Sequence, residues 1–149
     1  MTSEPELQPG KDYVGVGVGV LIVNDKEETL LMKRGPKSRN LVGYWNKPGG
    51  TLEFGEKSEE TAKREIKEEL GVDIEILGKL ETTEAFLEKD QQHWISIQYV
   101  AKIVGGTPRI CEPDKTTEIA WFPLAKLPEP HSPTLGYSIQ SYLDRFKTP

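Results

Sequence analysis

One helix constrains this chain more than any other segment. The run Ser58 to Leu70 carries Glu59 and Glu60 where the positive end of a helix dipole would lie, and Gly71 supplies a stop. Ser58 reads as the N-cap. Ala62, Ile66 and Leu70 recur every fourth residue and form one apolar stripe. Glu65, Glu68 and Glu69 stand at i, i+3 and i+4, so three carboxylates share another face. At about 100° per residue, that acidic face lies roughly a quarter-turn or a little more from the stripe. A helix so divided can bury its apolar side and aim its acids along the edge of a cleft.

Like charges at these spacings weaken a helix by a few tenths of a kcal/mol per pair, so the cluster calls for a compensating cation. Oxygen donors without His or Cys suit Mg²⁺, Mn²⁺ or Ca²⁺ rather than zinc. Mg²⁺ commonly completes its shell with water and substrate phosphates, which makes phosphate chemistry the natural use of such a site. The helix alone also fits a plain solvated face, with Lys63 and Lys67 as its partners.

Around this helix the chain reads as a series of strands. Residues 1–11 are polar, contain Pro5 and Pro9, and read as a flexible leader. From Tyr13 to Val23, valines at 14, 16, 18 and 20 alternate with glycines. A strand with one glycine face lets another group approach closely. The segment lacks the GxGxxG spacing of a phosphate loop, and no helix follows it. Asn24 to Glu28 reads as a turn, and Thr29 to Arg34 as a second strand paired with the first as a hairpin. Pro48-Gly49-Gly50 turns the chain. Residues 72–86 and 93–104 are strand-rich, and Thr117 to Pro123 is a short strand. Trp45, Trp121 and Phe122 are core candidates. Tyr137 to Phe146 reads as a terminal helix, with Ile139, Tyr142 and Phe146 on one side.

Composition sets outer bounds. The chain has 149 residues and a net charge of -5, which fits one domain, here residues 12–149. That charge argues against a nucleic-acid-polymer surface, which needs clustered Lys and Arg. The single cysteine, Cys111, cannot form an intrachain disulfide. Neither a signal peptide nor a membrane-length apolar run is apparent, so the expected location is cytoplasmic, with no membrane contact.

The run from Gly50 to Val72, GTLEFGEKSEETAKREIKEELGV, follows the pattern Gly-x5-Glu-x7-Arg-Glu-apolar-x-Glu-Glu-x-Gly-apolar. Gly50, Glu56, Arg64, Glu65, Ile66, Glu68, Glu69, Gly71 and Val72 fill its fixed positions. This resembles the Nudix box. The glycine-interleaved strand, WNKPGG before the box and the EPDK…WFPL segment are also similar to nucleotide-hydrolysing members of the Nudix family.

The resemblance implies an α/β fold, an α/β/α sandwich with a mixed sheet, in which the box forms a loop-helix-loop. It implies hydrolysis of a nucleoside diphosphate linked to another group, with Mg²⁺ or Mn²⁺ as cofactor. Carried over, Glu65 and Glu69 resemble the principal metal ligands, Glu68 the third, and the Gly49 carbonyl the backbone ligand. Glu65 or Glu68 stands as the base near the attacking water. Glu56 and Arg64 resemble the ion pair that holds the loop to the helix, with Gly50 and Gly71 as structural glycines. A further acid from outside the box often assists, and Glu112, Asp114 and Glu118 are the candidates. Lys33 and Arg34 end a strand where they could meet phosphates. Asn46 resembles a base-reading position, since an amide both donates and accepts. His93 and His131 match no motif.

The expected substrate is a nucleoside triphosphate, as in nucleotide-pool enzymes. The alternatives are ADP-ribose or a nucleotide sugar, a dinucleotide polyphosphate, a non-nucleotide diphosphate, or a non-catalytic nucleotide-binding module. A module of that last kind usually loses box glutamates, which are all present here. The fold analogy also allows a homodimer.

Overall fold

The computed structural model describes residues 5–147. Its elements are β1 (Gly15–Ile22), β2 (Glu28–Arg34), β3 (Trp45–Asn46), β4 (Gly49–Thr51), α1 (Ser58–Leu70), β5 (Asp73–Lys79), β6 (Thr83–Leu87), β7 (Gln92–Gly105), β8 (Thr116–Pro123) and α2 (Leu135–Tyr142). A π-helical turn, Leu143–Lys147, follows α2. One sheet runs β4-β1-β7-β5, with β6 also paired to β7, and the second runs β3-β2-β8. β1 and β7 are parallel and the other pairs antiparallel, so the larger sheet is mixed.

Strand alternation divides the apolar residues between two cores. Val18, Val20 and Ile22 of β1 and Leu30 and Met32 of β2 pack with Ala62, Ile66 and Leu70 of α1. Leu21 of β1 and Leu31 of β2 pack the other way, with Leu135, Ile139 and Tyr142 of α2. A helix therefore covers each side, which is the expected sandwich. The apolar stripe of α1 is completely buried. Truncating Ile66 to Ala would cost about 2–5 kcal/mol. Gly71 ends the helix in the left-handed region, φ 70°, with its N–H donating to the Lys67 carbonyl.

Four local expectations need correction. Ser58 is not the N-cap: Lys57 takes that place without a side-chain bond, and the Ser58 hydroxyl lies 2.6 Å from the Tyr99 hydroxyl. β1 and β2 are not a two-stranded hairpin. Only the Val23–Thr29 bridge joins them, and β2 pairs with β3 and β8 instead. The Asn24 side chain accepts N–H bonds from Lys26 and Glu28, turning the chain from one sheet to the other. The terminal helix starts at Leu135 rather than Tyr137, and Phe146 lies beyond it, stacked on Tyr142 at 5.7 Å. Of the leader expected over residues 1–11, residues 1–4 lie outside the described residues. Its last part is anchored: the His93 N–H donates to the Gly10 carbonyl at 2.8 Å, and Gly10 sits under the Trp94 ring.

Candidate functional site

The glycines of β1 explain why a cleft exists. Gly15, Gly17 and Gly19 pair in register with Trp94, Ser96 and Gln98 of β7. A Cβ at Gly15 would stand 2.6 Å from the Trp94 ring, and one at Gly19 would stand 2.5 Å from Gln98 Oε1. The side chains of β7 thus lean over the bare strand, and a cleft of about 900 Å³ opens on that face. It extends from Gly17, Gly19 and Gln98 to Glu65, Glu69 and Glu112.

The acidic end is built on α1. Arg64 clasps Glu56 through two bonds, Nε to Oε2 at 2.8 Å and Nη2 to Oε1 at 2.9 Å. Thr61 Oγ1 donates to the same carboxylate at 2.6 Å. Arg64 holds the Glu56 carboxyl down at about 2, and Glu56 in turn raises the Arg64 guanidinium. This pair ties the loop after β4 to the helix. Arg64 also reaches Glu65 Oε1 at 2.8 Å and approaches Glu68 at 3.5 Å.

Glu65 and Glu69 face the cleft, whereas the Glu68 side chain is largely exposed. Burial raises the Glu65 carboxyl. Burial, and then the charge of Glu65, push Glu69 up to about 8. The Gly49 N–H donates to Glu69 Oε1 at 3.1 Å, so the Pro-Gly-Gly turn rests directly on this acid. Gly50 is required for the same closeness: a Cβ there would lie 2.1 Å from the Glu65 carboxyl carbon.

Among the described residues, no three carboxylate, imidazole or thiolate groups already converge as a metal cage. Glu69 turns inward, Glu65 is held by Arg64, and Glu68 points outward. The chemistry nevertheless fits a hard cation. The donors are all oxygens, and two acids repel each other where burial penalises their charge. A cation there would relieve both penalties.

The structure separates the remaining candidates. Glu112 lines the cleft, and its charge acts on both Glu65 and Glu69. The Cys111 N–H, bonded to the Glu69 carbonyl at 3.1 Å, brings that loop to the helix. Asp114 is paired with Lys37 in solvent, and Glu118 does not line the cleft. Arg34 lines the cleft, is half-buried, and carries a positive charge that acts on Glu69; its Nε donates to the Asn40 carbonyl at 2.7 Å. Lys33 does not line the cleft, because neighbours on a strand face opposite ways. Asn46 lines it, with Oδ1 accepting the Lys47 N–H at 2.8 Å.

Sequence reasoning missed Lys47, Gln98 and Trp94. Lys47 is buried, and burial lowers its ammonium to about 7. Arg39 stacks over Trp94, 5.4 Å from the ring centroid, and donates to Thr51 Oγ1 at 2.8 Å. The alternating glycines were the available signal, since a bare strand face implies large side chains on the neighbouring strand. They did not identify which strand that would be.

Comparison with known proteins agrees with this geometry. The NUDIX domain model matches residues 14–142. A Bacillus subtilis (strain 168) protein provisionally named an 8-oxo-dGTP diphosphatase is 30% identical, over 75% of this chain and 68% of its own. An ADP-ribose pyrophosphatase of Methanocaldococcus jannaschii is 32% identical, over 72% of this chain and 62% of its own. Several other curated relatives are longer, and the match spans about a third of their length. The crystal structure of a MutT NUDIX hydrolase from Burkholderia pseudomallei superposes with a TM-score of 0.78 at 34% identity, covering 85% of this chain and 96% of that one. With the box helix, the mixed sheet and the matched residues in agreement, this chain belongs to the NUDIX hydrolase family.

Proposed function

We propose that the protein is a divalent-cation-dependent hydrolase of a nucleoside triphosphate, cleaving a phosphoanhydride bond and releasing pyrophosphate. One observation carries this reading. The half-buried, charge-crowded Glu69 stands at one end of a cleft whose other end is large and polar enough for a nucleoside. The relative named for 8-oxo-dGTP supports the substrate class.

Glu65, Glu68, Glu69 and the Gly49 carbonyl would hold Mg²⁺ or Mn²⁺. A bound cation there would neutralise phosphate charge and lower the pKa of a water. The protein's own groups do the rest. Glu65 or Glu68 accepts the proton of the attacking water, with Glu112 as the assisting acid from outside the box. Arg34 sits where it can meet a phosphate oxygen. Asn46 lies toward the nucleoside. Glu56 and Arg64 fix the loop, so that Gly50 presses on Glu65 without a side chain between them.

A Mg²⁺-dependent screen that reads phosphate and pyrophosphate separately tests this. Pyrophosphate and a nucleoside monophosphate are the expected products. A second reading, ADP-ribose hydrolysis, is favoured by the name of the Methanocaldococcus relative. It would appear as AMP formation from ADP-ribose, without turnover of triphosphates. No hydrolysis of any diphosphate-linked nucleotide would overturn both readings.

A further inference from the structure

The basic loop between β2 and β3 borders the cleft, and Gln92 of β7 holds it there. Gln92 is 6% exposed and uses both ends of its amide. Its Nε2 donates to the Arg39 carbonyl at 2.9 Å, and its Oε1 accepts Asn40 Nδ2 and Trp94 Nε1, each at 2.8 Å. Trp94, set against Gly10 and Gly15, carries the Arg39 guanidinium over its ring. Arg39 Nη1 also donates to Thr51 Oγ1 at 2.8 Å. Arg39 is exposed, yet its side chain is fixed at two points.

What this guanidinium lacks is an acid. Among the described residues, Arg64 and Arg145 pair with carboxylates, whereas Arg34 and Arg39 form no ion pair. Arg34 Nε donates instead to the carbonyl of Asn40, the residue next to Arg39, which draws the two cations together. Burial lowers the Arg34 guanidinium, the charge of Glu69 raises it, and that of Arg39 lowers it again. Arg34 therefore lies within electrostatic reach of both the acidic ledge and Arg39. Holding a long side chain beside a like charge costs rotamer freedom and Coulomb energy, and an anion bridging the two forks would offset both.

We propose that Arg39 sets the preferred length of the phosphate chain, gripping with Arg34 the phosphate farthest from the nucleoside, so that triphosphates are selected over diphosphates. The inference rests on the triphosphate reading above and adds the residue that makes the choice. Gly49, Gly50 and Thr51 form β4. The Gly49 N–H rests on Glu69, and Thr51, about 7 Å further along the strand, holds Arg39. A phosphate chain that reacts beside Glu65 and Glu69 can follow β4, past Arg34, to Arg39. Its terminal phosphate carries the most negative charge and suits a planar fork of donors. A diphosphate ends short of that fork and forgoes its charge-assisted bonds.

The test is calorimetric binding of two guanosine nucleotides to the full chain with Mg²⁺ present, a triphosphate and a diphosphate whose α–β bridge is a methylene. Water cannot cleave that bridge, so binding is read apart from turnover. Wild type should bind the triphosphate at least about tenfold more tightly than the diphosphate. Arg39→Gln should weaken the triphosphate by about tenfold and the diphosphate by less than about threefold, with the unfolding midpoint unchanged. Arg39→Lys should keep part of the preference, since it keeps the charge but not the fork. Thr51→Val, which frees Arg39 without removing it, should fall between wild type and Arg39→Gln. Equal affinities in wild type, equal weakening of both ligands in Arg39→Gln, or binding of neither analogue would overturn the assignment. A preference that Arg39→Gln abolishes, in a chain unable to hydrolyse any triphosphate, would uphold Arg39 and overturn the proposed function.

Discussion

The acidic face of α1 and the floor of the cleft are assembled in opposite ways. The acids and their clasp lie within residues 56–69, and one helix turn sets their spacing. The floor draws on Gly19, Lys47, Thr83 and Gln98, which come from three strands and a turn. The electrostatics also differ in sign. On the helix, Glu65 and Glu69 crowd negative charge that Arg64 only partly offsets. On the floor, the Gln98 amide oxygen is buried without a partner, and Lys47 brings a buried basic side chain. The acidic end is left charge-crowded by the protein alone, and phosphate with its cation would complete it.

Breaking the helix end should have the largest effect. Glu69→Gln should lower turnover by at least about a hundredfold while leaving the circular-dichroism spectrum intact, because the amide oxygen can still accept the Gly49 N–H. Full turnover in that variant would remove Glu69 from the site. Gly50→Ala should lower turnover by about tenfold or more with a small change in unfolding midpoint, since the new methyl displaces the flexible Glu65 carboxyl rather than backbone. A loss of stability matching the loss of activity would instead make Gly50 a purely structural glycine.

Glu56→Gln sharpens the comparison through pH. The Glu56 carboxyl is held at about 2, below its ordinary 4.5, so its pairing with Arg64 stabilises the fold above about 4.5 and is lost as pH falls toward 2. Thermal unfolding of wild type should therefore weaken across that window. The variant should show a flatter curve there and a lower midpoint at neutral pH. Identical acid limbs would show that the clasp contributes nothing to stability. Lys33→Ala should have the smallest effect, under about threefold on kcat/KM, because Lys33 lies outside the cleft. A larger loss would return it to the phosphate-binding groups.

The contrast also explains how much was legible in the sequence. Helix periodicity is local, so the bounds of α1, its buried stripe and its three acids could be read directly. The sandwich followed from strands flanking that helix together with the box resemblance. The hairpin assigned to β1 and β2 failed because a turn fixes only chain reversal, and not which sheet the next strand joins. Lys47 was passed over because it adjoins a Pro-Gly-Gly turn, where a lysine normally faces solvent. Gln98 sits in an alternating strand in which nothing marks one polar residue as buried. Its role depends on Gly19, which lies far away in sequence. Glu112 could be named as a candidate but not chosen over Asp114 and Glu118, since only the folded loop brings it to Glu65 and Glu69.

Mn²⁺ titration of wild type and Glu69→Gln, followed by the paramagnetic resonance of free Mn²⁺, bears most closely on the acidic ledge. Wild type should take up Mn²⁺, and uptake should strengthen when a nucleoside triphosphate is added. Glu69→Gln should lose at least about tenfold in affinity under both conditions. Equal Mn²⁺ uptake by the two proteins would mean that the cation, if any is used, is gathered elsewhere.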